Sequence, residues 1–313
     1  NSMEKRINMN YIRIGNTDIK ASEIALGCMR LKGMSENDVE RLIKTAVEEG
    51  INFFDHADIY GGGECERIFA KAIGKNPGLR EKIIIQTKCG ICDGYYDFSK
   101  EHILKSVDES LKRLNTDYID FLLLHRPDTL MEPEEVAEAF DILLSSGKVR
   151  NFGVSNQNPM QIELLSRYLN QRILVNQLQL SLMHTGMIDS GLNVNMKIDQ
   201  SVDRDGGILE YCRLKNITIQ AWSPFQYGFF KCVFLGNENF PELNKKIDEI
   251  AEKYGVKPEA VAVAWILRHP AKIQTIVGTT NVSRLKDICK ASTFKLTRQE
   301  WYELYTAAGN KLP

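Results

Sequence analysis

Short apolar runs alternate with longer amphipathic stretches along most of the chain. The runs are four to eight residues long, and the stretches between them repeat apolar residues at the i, i+3, i+4 spacing of a helix. After the first run, for example, Ser35 can cap a helix whose apolar stripe includes Val39, Leu42 and Ala46. The pattern predicts strands at residues 24–27, 51–55, 82–88, 119–125, 149–156, 173–180, 218–223 and 273–278.

Eight strand–helix units predict a single domain over residues 1–313 with the α/β architecture of a (β/α)8 TIM barrel. Residues 11–22, which contain Gly15 and Asn16, predict a β-hairpin ahead of the barrel. Thr297 and Glu300 have the spacing of a capping box, which predicts an extra C-terminal helix. Residues 184–207 are rich in Gly, Asn and Asp and predict a long loop. A doubly wound open sheet shares the same alternation and stays open as an alternative fold.

The composition is that of a globular protein, with 43% hydrophobic and 26% charged residues among 313. A net charge of -1 provides no basic surface for nucleic acid or a membrane, so neither partner is expected. No apolar run approaches the roughly 20 residues of a membrane-spanning helix, and a secretory signal is not evident.

The cysteines indicate a reducing compartment. There are seven, an odd number at irregular spacing, which fits the free thiols of a cytoplasmic protein. Cys89 and Cys92 form a C-x-x-C pair. We expect this pair to be structural, because no second pair follows that could complete a zinc site.

Polar residues lie where several of the apolar runs end. Asp55, Lys88 and His125 end three successive predicted strands, and Tyr60 lies in the loop after Asp55. The carboxyl ends of barrel strands form one face, where active sites lie, so these side chains should meet. Burying Lys88 is costly without a partner, and Asp55 on the adjacent strand can be that partner. Carboxylate, ammonium, phenol and imidazole together supply what proton transfer to a carbonyl oxygen requires.

Longer strings around these residues resemble one enzyme family. They are residues 55–61, 122–127, 153–156, 176–177, 221–224 and 276–284, together with Lys88. Taken in order, these strings resemble the aldo-keto reductases, and residues 55–62 resemble the bacterial YdhF-type oxidoreductases of that family. The resemblance implies a TIM-barrel enzyme that uses NADP(H) to reduce aldehyde or ketone carbonyls to alcohols.

The resemblance also implies roles for individual residues. Tyr60 would be the general acid, and the charge of Lys88 would lower its pKa. Asp55 would hold Lys88 in place, and His125 would donate a hydrogen bond that orients the carbonyl. The implied cofactor ligands are Ser155, Asn156 and Gln177 at the nicotinamide carboxamide, Trp222 on the nicotinamide ring, Ser223, Phe225 and Gly228 at the pyrophosphate, Gly278, Thr279, Thr280 and Arg284 at the 2′-phosphate, and Asp287 at the adenine.

The substrate side is less defined by sequence. Met29 and Arg30, after the first strand, are expected to face the substrate pocket. Gly278 stands where many relatives carry a lysine, and Ile288 where many carry an asparagine, so we expect weaker phosphate and adenine contacts. No metal site is expected. The substrate and the oligomeric state are not indicated by the sequence.

Two other functions stay open. A metal-dependent barrel hydrolase could use Asp55, His56 and His125 as ligands, although the sequence offers no further ligand at a strand end. A regulatory or binding module with this fold would keep the same residues and turn over slowly.

Overall fold

Eight parallel strands close into a barrel in this structure, a computed structural model that describes residues 8–313. The strands are β1 (Tyr11–Arg13), β2 (Lys20–Ser22), β3 (Ile24–Gly27), β4 (Phe53–Asp55), β5 (Ile84–Cys89), β6 (Ile119–Leu124), β7 (Val149–Ser155), β8 (Ile173–Gln179), β9 (Thr218–Trp222), β10 (Gln226–Tyr227), β11 (Cys232–Val233) and β12 (Gln274–Val277). The barrel runs from β3 to β9 in chain order and closes through β12, which pairs with both β9 and β3. The predicted (β/α)8 fold is confirmed, and the open-sheet alternative is wrong.

Helices follow the barrel strands and cover the outside of the barrel. They are α1 (Glu36–Glu48), α2 (Glu64–Gly74), α3 (Lys100–Leu114), α4 (Pro133–Ser145), α5 (Pro159–Tyr168), α6 (Gly186–Leu192), α7 (Ile208–Leu214), α8 (Pro241–Tyr254), α9 (Pro258–Leu267), α10 (Val282–Cys289) and α11 (Arg298–Ala307). Strands such as β6 are buried along their whole length, because the helices cover one side and the barrel core the other. No helix among the described residues has the length and apolarity needed to cross a membrane.

The predicted hairpin closes the end of the barrel where the strands begin. β1 and β2 pair antiparallel, and the connection between them is longer than Gly15 and Asn16 alone, running over residues 14–19. Ile14 in this connection is fully buried against Phe53 and Phe121 inside the barrel. The Gly15 amide donates to Thr218 Oγ1 at 2.8 Å, at the first residue of β9. A Cβ on Gly15 would lie 2.8 Å from a methyl carbon of Leu174, so the close approach requires glycine.

Two segments differ from the sequence prediction. Residues 184–207 are not a continuous loop, because they contain α6 and a 3-10 turn at Asp199–Ser201. Asp189 anchors this segment by accepting hydrogen bonds from Tyr305 and Thr185 at 2.6 and 2.9 Å. A further short hairpin, β10–β11, follows β9 and was not predicted.

The predicted helix ends agree with the structure. Ser35 Oγ accepts from the Asp38 amide at 3.2 Å at the start of α1, and Thr297 and Glu300 make both bonds of the capping box at the start of α11. The extra C-terminal helix packs on α9 through stacked rings of Trp265 and Trp301, whose centroids lie 4.8 Å apart. All seven cysteines are free thiols.

The buried position of Ile14 leads to a test of the hairpin. Ile14→Ala should lower the free energy of unfolding by about 2–5 kcal/mol, because it removes a fully buried side chain that neighbouring residues cannot replace. Ile142→Ala is the matched control, since Ile142 is 41% exposed, and should change stability by less than about 0.5 kcal/mol. Denaturant unfolding of both variants measures the difference, and equal effects would contradict the packing role of Ile14.

Candidate active site

A buried ammonium group lies at the centre of the site. Lys88 on β5 has no exposed surface. Its Nζ lies 2.9 Å from Asp55 Oδ2, 2.9 Å from the His56 carbonyl oxygen and 3.0 Å from the Tyr60 hydroxyl oxygen. An ammonium group has three protons to donate, so the three oxygens satisfy it. The structure therefore brings together the carboxylate, ammonium and phenol that the sequence predicted to meet.

The loop after β4 carries Tyr60 back over Lys88. Gly61, Gly62 and Gly63 all have positive φ, at 60, 66 and 94°, and they form a tight turn that leads directly into α2. A Cβ on Gly61 would lie 2.9 Å from the Cys65 sulfur. Glycine is therefore required both by the left-handed backbone and by the space available.

Burial controls the proton affinity of these groups. The pKa of Lys88 is raised: burial alone would lower it, but Asp55 and Tyr60 outweigh that effect. The pKa of Tyr60 is also raised from 10.0, because burial outweighs the lowering effect of Lys88. Lys88 therefore acts on Tyr60 in the predicted direction, although the net pKa of Tyr60 lies above its usual value. Lys88 does lower that pKa, but by less than burial raises it.

His125 completes the group as a neutral imidazole. Burial and the nearby charges of Lys88 and Arg126 hold its pKa well below 6.5. Its ring meets the Tyr60 ring edge to face, with centroids 6.1 Å apart. Nδ1 is buried without a hydrogen-bond partner in the described part of the chain, which leaves Nε2 as the nitrogen that can donate to a ligand.

A cavity of about 800 Å³ opens above these residues. Asp55, Tyr60 and His125 line it, and Lys88 lies beneath them. The predicted ligand residues that also line it are Met29, Arg30, Ser155, Asn156, Gln177, Trp222, Ser223, Phe225, Gly278, Thr279 and Arg284. The lining does not include three other predicted ligand residues, Gly228, Thr280 and Asp287. The Gly228 carbonyl accepts a hydrogen bond from the Gln179 side chain of β8 at 2.8 Å.

Amide and hydroxyl groups are held in fixed orientations beside His125 and Tyr60. Ser155 Oγ donates to the Gln177 carbonyl at 3.0 Å and accepts from the Asn156 side chain at 2.9 Å. The Asn156 side-chain oxygen in turn accepts from the Trp222 indole at 3.2 Å. Phe230 stacks on Trp222 with centroids 5.6 Å apart. Such groups suit recognition of a planar ligand that carries a carboxamide.

The cavity lining also includes Arg284, at the start of α10, and the carboxylate of Glu259. Asn281 caps this helix by accepting from the Arg284 amide at 2.9 Å, and Thr279 Oγ1 accepts from the Asn281 amide at 3.2 Å. The Arg284 side chain pairs loosely with Glu259 at 3.9 Å. A Cβ on Gly278, which also lines the cavity, would contact nothing within 4 Å.

Comparison with known proteins identifies the family. Residues 23–308 match the aldo/keto reductase family. The chain belongs to this family. It is 36% identical to a 6-dehydroglucose reductase of Agrobacterium fabrum, over 96% of this chain and 98% of the relative. It is 35% identical to oxidoreductase YdhF of Escherichia coli, over 92% of this chain and 93% of the relative.

A solved structure supports the same conclusion. The thermostable aldo-keto reductase Tm1743, determined with the inhibitor epalrestat, is 26% identical with a TM-score of 0.77 and covers 96% of this chain and 100% of its own. The predicted family resemblance is confirmed. Membership makes this chain an oxidoreductase of a family that reduces carbonyl groups and generally uses nicotinamide cofactors.

The geometry does not support the metal-dependent hydrolase. Within residues 8–313, no three His, Cys, Asp or Glu side chains are placed to hold one metal ion. Both oxygens of Asp55 already accept hydrogen bonds, from Lys88 on one side and Gln86 and Gln177 on the other. His56 is fully buried and packs against Phe69 with ring centroids 4.4 Å apart.

Sequence reasoning missed several residues of this aldo-keto reductase. Arg126 lines the cavity, with its guanidinium carbon 5.8 Å from the ring centroids of both Trp222 and Phe229. No acidic side chain in the described part of the chain pairs with it. Arg126 directly follows His125 in the sequence, so it could have been predicted to lie at the same end of the barrel. Tyr96 and Phe230 also line the cavity, but they lie in loops whose course the sequence pattern does not define.

A second carboxyl group lies behind the site. Asp58 donates its amide to the Lys88 carbonyl at 3.1 Å, and its Oδ1 is buried without a partner among the described residues. Burial and the nearby charge of Glu66 raise the pKa of Asp58 to about 7, although Arg113 partly opposes them. Ionised Asp58 is therefore unfavourable in the folded protein at neutral pH.

This pKa predicts how Asp58 affects stability. In the unfolded chain the group titrates near ~4, so its cost grows as the pH rises from there through about 7. Asp58→Asn removes the charge and should stabilise the protein by roughly 1–3 kcal/mol more at pH 8 than at pH 5. Denaturant unfolding at the two pH values measures this. Asp18→Asn, at a fully exposed carboxylate, is the control, and a pH-independent effect of Asp58→Asn would contradict the shift.

Proposed function

We propose that this chain is an NADP(H)-dependent reductase of aldehydes and ketones in which Tyr60 is the general acid. The observation that carries the proposal is the position of Lys88 Nζ, within hydrogen-bond distance of both Asp55 and the Tyr60 hydroxyl. Tyr60 and His125 line the same cavity, so one carbonyl oxygen can lie within reach of both.

Each residue of the site has a separate task in this proposal. Asp55 keeps Lys88 charged and in place. Tyr60 transfers its proton to the carbonyl oxygen, and Lys88, 3.0 Å from the phenol oxygen, stabilises the phenolate that remains. Neutral His125 donates a hydrogen bond from Nε2 and orients the carbonyl. The nicotinamide cofactor, when bound, supplies the hydride that reaches the carbonyl carbon.

The cavity lining fits NADP(H) at both of its ends. Ser155, Asn156 and Gln177 offer hydroxyl and amide groups for the nicotinamide carboxamide beside Tyr60. At the other end, Arg284 and Thr279 offer a guanidinium and a hydroxyl for the 2′-phosphate. We therefore assign these residues to the cofactor, and we assign Met29, Arg30 and Arg126 to the substrate side.

The substrate class is best tested with a panel of aldehydes and ketones, followed by NADPH absorbance. One relative is named a 6-dehydroglucose reductase. Arg126, which no acidic side chain among residues 8–313 pairs with, provides hydrogen-bond donors beside Trp222 and Phe229. The panel should therefore include hydroxylated sugar aldehydes beside apolar ones. Negligible turnover with all of them, while NADPH still binds, would favour the regulatory module instead.

Tyr60→Phe tests the proton donor, because it keeps the ring and removes only the hydroxyl. Turnover should fall by about 10²- to 10⁴-fold, the usual contribution of general acid catalysis, while NADPH affinity changes little. The measurement is single-turnover reduction with excess enzyme. Tyr96→Phe is the control, because Tyr96 lines the same cavity without contacting Lys88. Near-normal turnover in Tyr60→Phe would reject the assignment.

Arg284→Ala tests cofactor choice. A charge-assisted hydrogen bond is worth about 1.5–3 kcal/mol, so the variant should weaken NADPH binding roughly 10- to 150-fold and leave NADH binding nearly unchanged. Gly278 stands where many relatives carry a lysine, so one phosphate contact is missing and the expected preference for NADPH lies towards the lower end. Quenching of Trp222 fluorescence follows binding, with Trp222→Phe to correct for the other tryptophans.

Two results would contradict the phosphate-site assignment. One is equal affinity of the wild-type chain for NADH and NADPH, and the other is an equal loss for both cofactors in Arg284→Ala. Arg41→Ala is the control, because Arg41 is an exposed arginine on α1 that is similarly paired with one acidic side chain, at 3.8 Å.

A further inference from the structure

Four glutamine side chains fill the barrel interior beneath the cavity. Gln86, Gln220 and Gln274 have no exposed surface, and Gln177 is 4% exposed. They come from β5, β9, β12 and β8, and Gln86 lies two residues before Lys88, so both point inward. Polar side chains in a barrel core are costly unless they are hydrogen-bonded. These glutamines meet that requirement through hydrogen bonds to one another and to Asp55. The question is therefore what this polar network does for the site above it.

The network begins at Asp55. Its Oδ1 accepts from Gln86 Nε2 at 2.8 Å and from Gln177 Nε2 at 3.2 Å. Gln220 Oε1 accepts a second bond from each of these amides, at 2.7 and 3.0 Å. Gln220 Nε2 then donates to Gln86 Oε1 at 3.1 Å and to Gln274 Oε1 at 2.9 Å. Gln274 Nε2 ends the network at the Ser22 carbonyl, at 2.9 Å.

The charge of Asp55 fixes the direction of every bond in this network. A carboxylate only accepts hydrogen bonds, so the NH2 groups of Gln86 and Gln177 must face it. Gln220 must then turn its oxygen towards both. As a result, both N–H groups of Gln177 point into the core, and its Oε1 has no partner among the described residues. That oxygen belongs to a side chain that lines the cavity.

We propose that Gln86 and Gln220 are positioning residues for carbonyl reduction: Gln86 holds the Asp55 carboxylate against Lys88, and Gln220 holds Gln177 with its oxygen available to the cofactor. The inference rests on the proposed function. It adds two residues that touch neither substrate nor cofactor, and it links the carboxylate of the proton-transfer group to an amide of the cofactor site.

The proposal predicts a different effect for each glutamine. Gln86→Met is close to isosteric and removes a bond to Asp55, so turnover should fall about tenfold or more while NADPH affinity changes less than about twofold. Gln220→Met releases both Gln86 and Gln177, so turnover and NADPH affinity should both fall. Gln274→Met is the matched control, because it breaks the same network without touching Asp55 or Gln177, and should leave both quantities near wild type.

Stability separates positioning from folding. Each single variant leaves at least one buried N–H or C=O group without its hydrogen-bond partner, which lowers the melting temperature. The triple variant Gln86→Met, Gln220→Met, Gln274→Met removes these polar groups together and should recover part of the melting temperature. Its turnover should nevertheless stay at the level of Gln220→Met or below, because the Asp55 and Gln177 tethers are still missing.

The outcomes distinguish this proposal from the proposed function. Wild-type chain that binds NADPH but reduces no carbonyl of the panel overturns the proposed function and the positioning role together. If the wild type is active and turnover follows melting temperature across all four variants, the glutamines are only structural and the positioning proposal alone is overturned. Equal turnover in Gln86→Met and Gln274→Met would overturn it in the same way.

Discussion

The architecture of this site depends on keeping the Lys88 ammonium charged where water does not reach it. A buried ammonium group is unfavourable unless it is paired and fully hydrogen-bonded. Three oxygens, from Asp55, His56 and Tyr60, meet that requirement at 2.9–3.0 Å. Each comes from β4 or the loop that follows it. The glycine turn that follows Tyr60 then leads from this group of residues directly into α2.

Asp55, which pairs with Lys88, is itself a buried charge and must also be fully hydrogen-bonded. One carboxylate oxygen faces Lys88, and the other would be buried without partners if the core beneath it were apolar. Gln86 and Gln177 supply these partners, and each then requires a bond for its remaining N–H. The polar network ends only at the carbonyl of Ser22, in strand β2 of the hairpin that closes the barrel. The charge in the site and the polarity of the core beneath it are therefore parts of one arrangement.

The barrel could be predicted because each of its strands is a short apolar run with a polar end. This pattern is contained in a few consecutive residues, so it is visible in the sequence. The sequence predicted Asp55, Lys88 and His125 for the same reason. It missed α6, because a helix of 7 residues with only Met187 and Ile188 buried has too few apolar residues to show a period. It missed the partnership of Gln86 and Gln220, which lie 134 residues apart and meet only when the barrel closes. The raised pKa of Tyr60 also depends on burial depth, which residue spacing does not reveal.

Under the proposed function, the direction of these pKa shifts is consistent with Tyr60 rather than His125 as the proton donor. Burial and two nearby cations hold the His125 pKa well below 6.5, so at neutral pH the imidazole is uncharged and can donate a hydrogen bond but not act as a strong acid. Tyr60 keeps its proton because its pKa is raised. Loss of that proton leaves a phenolate beside the Lys88 ammonium, 3.0 Å away. The residue that holds a transferable proton is therefore also the one whose conjugate base the site can stabilise.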